Sequence, residues 1–369
     1  MRQLKVAIVH DWMVSPGGAE KVVLELHKIW PKAPIYTAAY EPSKFPEFAD
    51  ADVRPTWLNR IKLAKTKHQL FTIPRAWAFK TLNLSDYDLV ISSSSAESKY
   101  VKTGPSTAHI CYCHTPVRYY WSDYDWYRKH PPFGKLNPLA GLVLPFLIGT
   151  LRRMDYKAAQ KVDYYLANSA NVQARIKRYY GRDSEVVYPP IETGSFTKPR
   201  TPKDYYLIVG RQVAYKRLDL AVDAFNKLGL KLKVAGSGEE INRQKARSKP
   251  NIEYLGFVSG DELADLYAGA KGFIFPPEED FGIAPVEAMS AGCPVIAYAK
   301  GGALEYVIEG ETGVLFKKQT PQDLIDAVKR LQGIKFDEKK IRRHAKQFDR
   351  KVFIKKIRDF VSKVSVSVS

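Results

Sequence analysis

The sequence predicts an α/β chain made of two doubly wound halves. Three observations carry this. The chain opens as strand, glycine loop and helix, the start of a doubly wound sheet. After a proline-rich joint the same order begins again. And 369 residues exceed what a single core usually fills.

The first strand is read from Leu4 to His10, followed by the loop D-W-M-V-S-P-G-G and a helix from about Ala19 to Ile29. Val22, Val23, Leu26 and Ile29 recur at helical spacing on one face. Gly17 and Gly18 are too few for a dinucleotide fingerprint, and the lysine of a Walker loop is missing. They fit either a tight turn or a backbone that a ligand approaches closely.

Between Arg54 and Lys80 stand seven Lys or Arg and no acid, interleaved with Trp57, Phe71, Trp77 and Phe79. This suits an anionic lipid surface, and equally a solvated basic face over core aromatics. Strands follow at Tyr87–Ser92 and Ala108–Cys113. The second delivers His114 at its carboxyl end, where open α/β sheets place ligands. Cys111, Cys113 and His114 lack a second ligand cluster at zinc spacing, so the expectation is no metal.

Asp123–Pro138, rich in Tyr, Trp and Pro, reads as a loop or lid. Leu139–Leu151 is apolar but interrupted by Gly and Pro, and a helix is expected from about Arg152. Ser169 or Asn171 is a candidate cap for the helix after Tyr164–Ala167. The prolines from Pro189 to Pro202 mark the joint.

In the second half, Tyr205–Gly210 is a strand, with Arg211, Lys216 and Arg217 just before a helix. Cations there oppose the helix dipole, so an anion is expected to compensate them. Leu232–Ala235 and Asn251–Val258 are strands, and Ser259–Tyr267 reads as a capped helix. Then comes F-P-P-E-E-D-F-G-I-A-P-V-E-A-M-S-A-G, residues 275–292: strand end, acidic loop, glycine, helix start. Glu279 and Glu287 can accept sugar hydroxyls, and the backbone of Gly282, Ile283 and Ala284 can donate to an anion. The same pattern fits an ordinary strand–loop–helix joint with acids near a helix start. Pro294–Tyr298 is a strand, Gly310–Gly313 a turn, Pro321–Leu331 a helix, and Lys339–Arg358 a basic helical tail with an apolar stripe.

The net charge of +19 asks for an anionic partner. No recognised nucleic-acid module is present, so nucleic acid is not expected. No apolar run reaches the eighteen or so residues of a spanning helix, and the amino terminus lacks a signal-peptide layout.

Taken together, P-G-G-A-E-K-V, C-Y-C-H-T-P-V-R-Y-Y-W, V-G-R-Q-V-A-Y-K-R-L-D-L and E-D-F-G-I-A-P-V-E-A resemble the retaining, family 4 (group 1) glycosyltransferases of GT-B fold. Within that family, I-Y-T-A-A-Y, C-Y-C-H-T-P-V-R-Y-Y-W and V-V-Y-P-P-I are similar to a subgroup of polysaccharide assembly, many of them GDP-mannose-dependent mannosyltransferases. The resemblance implies two Rossmann-like domains facing each other across a cleft. They would span 1–192 on the acceptor side and 193–346 on the nucleotide-sugar side, with a helix from 347–369 returning to the first. It implies that Arg211 and Lys216 neutralise the donor diphosphate and Glu279 binds the transferred sugar. Glu287 would hold the ribose, and His114 would orient sugar and acceptor. Gly17, Gly18, Ser169, Val258, Gly282, Ile283 and Ala284 would line the donor.

It implies no metal and no cofactor beyond the nucleotide-sugar co-substrate. The acceptor would be a glycan, free or linked to a polyprenyl diphosphate. Apart from the resemblance, the amino terminus without a signal-peptide layout predicts a cytoplasmic protein, and the basic, aromatic stretch Arg54–Lys80 predicts a peripheral place on the inner face of the membrane. A UDP-sugar-dependent transferase and a GT-B nucleotide-sugar epimerase or hydrolase share the same donor features and stay open. A basic nucleic-acid-binding protein is the remote alternative.

Overall fold

Short apolar runs that are buried along their whole length cannot be amphipathic strands of a one-sided sheet. They need helices on both faces, which is the setting of parallel strands. The computed structural model, which describes residues 4–66, 68–129 and 137–368, bears this out. Two compact units are present: Met1–Tyr188 together with Ile354–Ser369, and Pro189–Phe353.

The first unit is built on β1 (Val6–His10), β2 (Ile35–Thr37), β3 (Val53–Pro55), β4 (Leu89–Ser94), β5 (Ala108–Cys113), β6 (Tyr164–Ala167) and β7 (Glu185–Val186). These strands pair in the order β3-β2-β1-β4-β5-β6-β7, all parallel. The order reverses between β1 and β4, so the crevice at their carboxyl ends is the natural ligand position.

The second unit repeats the plan with β8 (Tyr206–Val209), β9 (Leu232–Ala235), β10 (Ile252–Gly256), β11 (Phe273–Phe275), β12 (Val295–Tyr298) and β13 (Gly313–Phe316). Its order is β10-β9-β8-β11-β12-β13, again parallel, with the reversal between β8 and β11. One core cluster joins Leu232, Val234, Ile274 and Ile296 of the strands to Phe225 and Val328 of two helices that pack on each other.

Several expectations are corrected. β2 and β3 stand where no strand is expected, and β13 begins at the last residue of the expected turn Gly310–Gly313, because strands of three or four residues leave little periodicity. The apolar stretch Leu139–Leu151 does not stop before the next helix. One helix runs from Asn137 to Ala159 with Pro145 inside it. No helix among the described residues is long and apolar enough to cross a membrane. The basic tail is two helices, Glu338–Ala345 and Arg350–Val368, broken by a 3-10 turn and extended Asp349. Ser169 caps the helix Ala170–Tyr180 through Val172 N at 3.1 Å, whereas Ser259 makes no side-chain cap. Of the expected lid Asp123–Pro138, residues 130–136 lie outside the described residues.

Candidate active site

In the first unit the polar residues collect over the β1/β4 crevice. His10 ends β1 and is buried. Its Nδ1 lies 3.1 Å from both the carbonyl oxygen and Oγ of Ser93, at the end of β4. Its Nε2 lies 3.4 Å from Glu20 Oε1, on the first turn of the helix Gly18–Ile29. The Ser93 carbonyl and the Glu20 carboxylate only accept, so together they favour a ring that donates from both nitrogens. Burial alone would lower its pKa. The hydrogen bond and charge of Glu20 outweigh burial, helped by Asp11 and the Ser93 carbonyl, and the net shift is upward.

Ser93 Oγ continues the chain to His114 Nε2 at 2.7 Å. Since His10 donates toward Ser93, the serine hydroxyl donates onward, and His114 Nε2 accepts. His114 is then the neutral tautomer with its proton on Nδ1. Burial, then the like charge on His10, push His114 down to about 3, against a smaller upward pull from Asp11. The Tyr112 ring sits edge-on to His114 at 5.2 Å. The His114 carbonyl accepts from Asn168 Nδ2 at 2.9 Å, and Asn168 Oδ1 accepts from Ser169 Oγ at 3.0 Å.

The glycine loop joins the same constellation. Gly17 is the N-cap of the helix Gly18–Ile29, and a Cβ on it would lie 3.0 Å from Glu20 Oε2. Both glycines are exposed, so the helix start is open to a ligand over the Glu20–His10–Ser93–His114 chain. Ser169 differs from expectation: it is fully buried with its hydroxyl spent on the cap and on Asn168, and it backs His114 from behind.

Asp11 anchors the loop after β4. It accepts from Ser95 N at 2.6 Å, Ser95 Oγ at 3.0 Å, Ala96 N at 2.9 Å and Ser98 N at 2.8 Å. Burial opposes its charge, yet His10, these amides and Arg75 hold its pKa below the usual value. Two buried ion pairs brace the same loop, Arg75 with Glu97 and Lys99 with Asp155. Arg75, read from sequence as part of an exposed basic run, is therefore interior. None of His10, Asp11, Glu20 or Ser93 was singled out from sequence. The available signal was a His-Asp pair at the carboxyl end of the first strand.

In the second unit the constellation stands over the β8/β11 crevice. β8 leads into exposed Arg211, then a 3-10 turn, Ala214–Lys216. Arg217 follows in the left-handed region at φ 56° and begins the helix Leu218–Leu228. Lys216 Nζ meets Glu279 Oε1, beyond β11, and its ammonium lies 6.0 Å from the Phe275 ring. The anions that compensate the two cations are thus carboxylates of the chain itself: Glu279 for Lys216 and Asp219, at 3.1 Å, for Arg217. Gln319 ties the two loops together, accepting from Arg217 Nη1 at 3.2 Å and donating to the Pro276 carbonyl at 2.8 Å.

Gly282 caps the helix Ile283–Ser290 at φ 97°, and a Cβ there would come within 2.8 Å of the Phe275 ring and of Tyr306 Oη. Only glycine suits that conformation without strain. Ile283 and Ala284, partly exposed, then open the helix that follows the Glu279 loop. Gly302 N holds the Glu279 carbonyl at 2.9 Å. Glu287, four residues into the helix and nearly buried, accepts from Tyr267 Oη at 3.0 Å. Val258 is partly exposed just past β10.

Residues 16–195 match the family described as Glycosyltransferase Family 4, and residues 193–348 the family described as Glycosyl transferases group 1. The chain belongs to the family 4 glycosyltransferases. An uncharacterised glycosyltransferase of Methanocaldococcus jannaschii is 29% identical over 178 residues, covering 47% of this chain and 48% of that one. A GDP-mannose-dependent alpha-mannosyltransferase of Corynebacterium glutamicum is 29% identical over 150 residues, 38% of this chain and 36% of that one. The alignments to the first two curated relatives span 48% and 35% of those proteins' lengths. An Anabaena HepE structure in complex with UDP-glucose superposes with a TM-score of 0.73 at 19% identity, over 98% of this chain and 100% of that one. The fold of this family 4 member is therefore GT-B. Among the described residues no group of three or more His, Cys, Asp or Glu could hold a metal ion.

Proposed function

We propose that the chain is a retaining glycosyltransferase that moves mannose from GDP-mannose to a glycan or lipid-linked glycan. The observation that carries the reading is the Lys216–Glu279 pair, which joins the segments after β8 and β11, with exposed Arg211 on the first of them and the helix start at Ile283 and Ala284 on the second. A cation and a carboxylate held together suit a ligand that brings both a diphosphate and sugar hydroxyls. Membership of the family supports transfer from a nucleotide-sugar, and the similarity to a GDP-mannose-dependent mannosyltransferase supports the donor.

Arg211 and Lys216 neutralise the diphosphate as it leaves, an electrostatic contribution realised mainly in the transition state. That charge removes the need for a metal ion. Glu279 takes hydroxyls of the transferred sugar, Glu287 those of the ribose, and Val258 lies at the base. His114, neutral and donating from Nδ1, orients the sugar. The acceptor hydroxyl attacks the anomeric carbon on the face from which the phosphate departs. The carbon–oxygen bond to phosphate breaks, and the acceptor proton passes to that phosphate oxygen. The products are a glycoside of unchanged anomeric configuration and a nucleoside diphosphate.

Thermal-shift measurement against GDP, UDP, ADP and their sugars tests the donor. A ligand at 100 times its dissociation constant stabilises by about 2.7 kcal/mol. GDP-mannose should raise the melting temperature most. Stabilisation by UDP-sugars alone would favour the UDP-sugar reading. Complete turnover of donor to free sugar or epimer without acceptor would overturn transfer.

A further inference from the structure

Among the described residues thirteen large apolar side chains are exposed, and five of them fall between positions 57 and 77. They are Trp57 at 39%, Leu63 at 48%, Leu70 at 37%, Ile73 at 50% and Trp77 at 60% exposure. They belong to short elements that pack on one another: the turns Trp57–Arg60 and His68–Phe71 and the helices Lys62–Thr66 and Thr72–Thr81. The helix Thr72–Thr81 explains the arrangement. Arg75, Ala76, Ala78 and Phe79 face the interior, which leaves Ile73 and Trp77, one turn apart, on the outer face. Trp77 packs edge-on against Trp57 at 5.7 Å.

The charges around this ridge differ from a simple basic run. Arg75 is buried against Glu97, Arg54 is held by Asp52 and Lys65 is 3.5 Å from Glu41. Arg60 and Lys62 remain exposed on the ridge's own elements, and no acid occurs from residue 54 to 80. An aromatic and aliphatic ridge with a cationic, acid-free border is complementary to a lipid surface bearing anionic headgroups. Tryptophans favour that boundary, and apolar side chains bind by insertion.

We infer that Trp57, Leu63, Leu70, Ile73 and Trp77 insert into the headgroup region of an anionic membrane, with Arg60 and Lys62 holding the border. Insertion supplies most of the binding and charge the smaller part, so salt weakens the attachment only partly. A docking face that worked by charge alone would lose it at high salt.

The full chain is sedimented with vesicles of phosphatidylcholine alone and of phosphatidylcholine with phosphatidylglycerol, at 0.1 M and about 0.5 M salt. It should pellet with the mixed vesicles at both concentrations. Ile73→Glu with Trp77→Glu should lower the partition coefficient at least tenfold, and Arg60→Gln with Lys62→Gln only severalfold. These side chains are exposed, so melting temperatures should match the parent's. Failure to pellet, equal pelleting by the Ile73/Trp77 double variant, or loss of binding at high salt would overturn the inference. So would a lipid-free dimer that the same double variant dissolves, since a second copy would then be the occupant.

Discussion

Ser93 Oγ stands 2.7 Å from His114 Nε2 and 3.1 Å from His10 Nδ1, so one hydroxyl joins two buried histidines whose pKa values are pushed in opposite directions. Removing it with Ser93→Ala takes the partner from His114 Nε2, while the carbonyl at position 93 still holds His10 Nδ1, at a cost of about 1–3 kcal/mol. We expect kcat to fall by roughly tenfold or more while donor KM changes little, since Ser93 acts through His114. Nitrogen NMR of the parent should show His114 protonated on Nδ1 only, and Ser93→Ala should mix the tautomers.

The pH dependence of stability follows from three buried histidines. Burial and Lys99 push His109 down to about 4, and His114 stands at about 3. Both are neutral in the fold, and the unfolded chain takes up their protons first. The stability they contribute is present above the unfolded pKa of about 6.5 and is lost as pH falls toward their folded values. His10 has the opposite sign: its contribution is present below its unfolded pKa and is lost as pH rises through its raised value. Below pH 6.5 the His10 contribution is constant, so His109 and His114 set the slope and melting temperature should fall from pH 6.5 to 4. His109→Asn should flatten the slope.

Lys216→Ala should lower kcat/KM by at least about tenfold, or 1.4 kcal/mol. Glu279→Gln should also lower it. Because the two groups meet directly, the double variant should lose less than the sum of the single losses. Additive losses would show that the pair does not act as a unit.

Gly282→Ala places a Cβ against Phe275 and Tyr306 in a backbone region that costs an L-residue about 1–3 kcal/mol. We expect a lower melting temperature and a raised donor KM, read from calorimetry and initial rates. Ala284→Gly, two residues along, should leave the melting temperature much closer to the parent's.

Asp155 gathers Lys99 Nζ at 2.7 Å, Tyr180 Oη at 2.7 Å, Trp121 Nε1 at 2.8 Å and Tyr100 Oη at 3.1 Å, all from distant segments. Asp155→Ala strands the buried ammonium and should cost about 3–5 kcal/mol. Lys99→Met with Asp155→Leu should recover part of that in thermal melts.

What the sequence disclosed was local. Strand ends, the glycine loop, the His114 position and the spacing of Glu279 and Glu287 are written in neighbouring residues, and so was the doubly wound order. The partners of those residues were hidden. His10 meets Ser93 across 83 positions, and Tyr100 meets Asp155 across 55. No periodicity reports such pairs. Arg75 illustrates the limit: among seven cations it looked like any other, and only Glu97 and Tyr119 distinguish it. Pro145 misled for a related reason, since a proline in an apolar run signals a break locally while the helix Asn137–Ala159 continues through it.

The last helix carries a consequence for how the protein is made. Residues from Ile354 onward belong to the first unit, although the whole second unit is translated before them. Lys356 donates to the Val186 carbonyl on the edge strand β7 at 3.2 Å, and Phe360 packs on Tyr164 of β6 at 5.9 Å. A ribosome delivers β1–β7 early but withholds the cover of their outer edge until the second unit has been made. The half begun first is therefore completed last, and during synthesis β7 is an edge that waits, open to other strands.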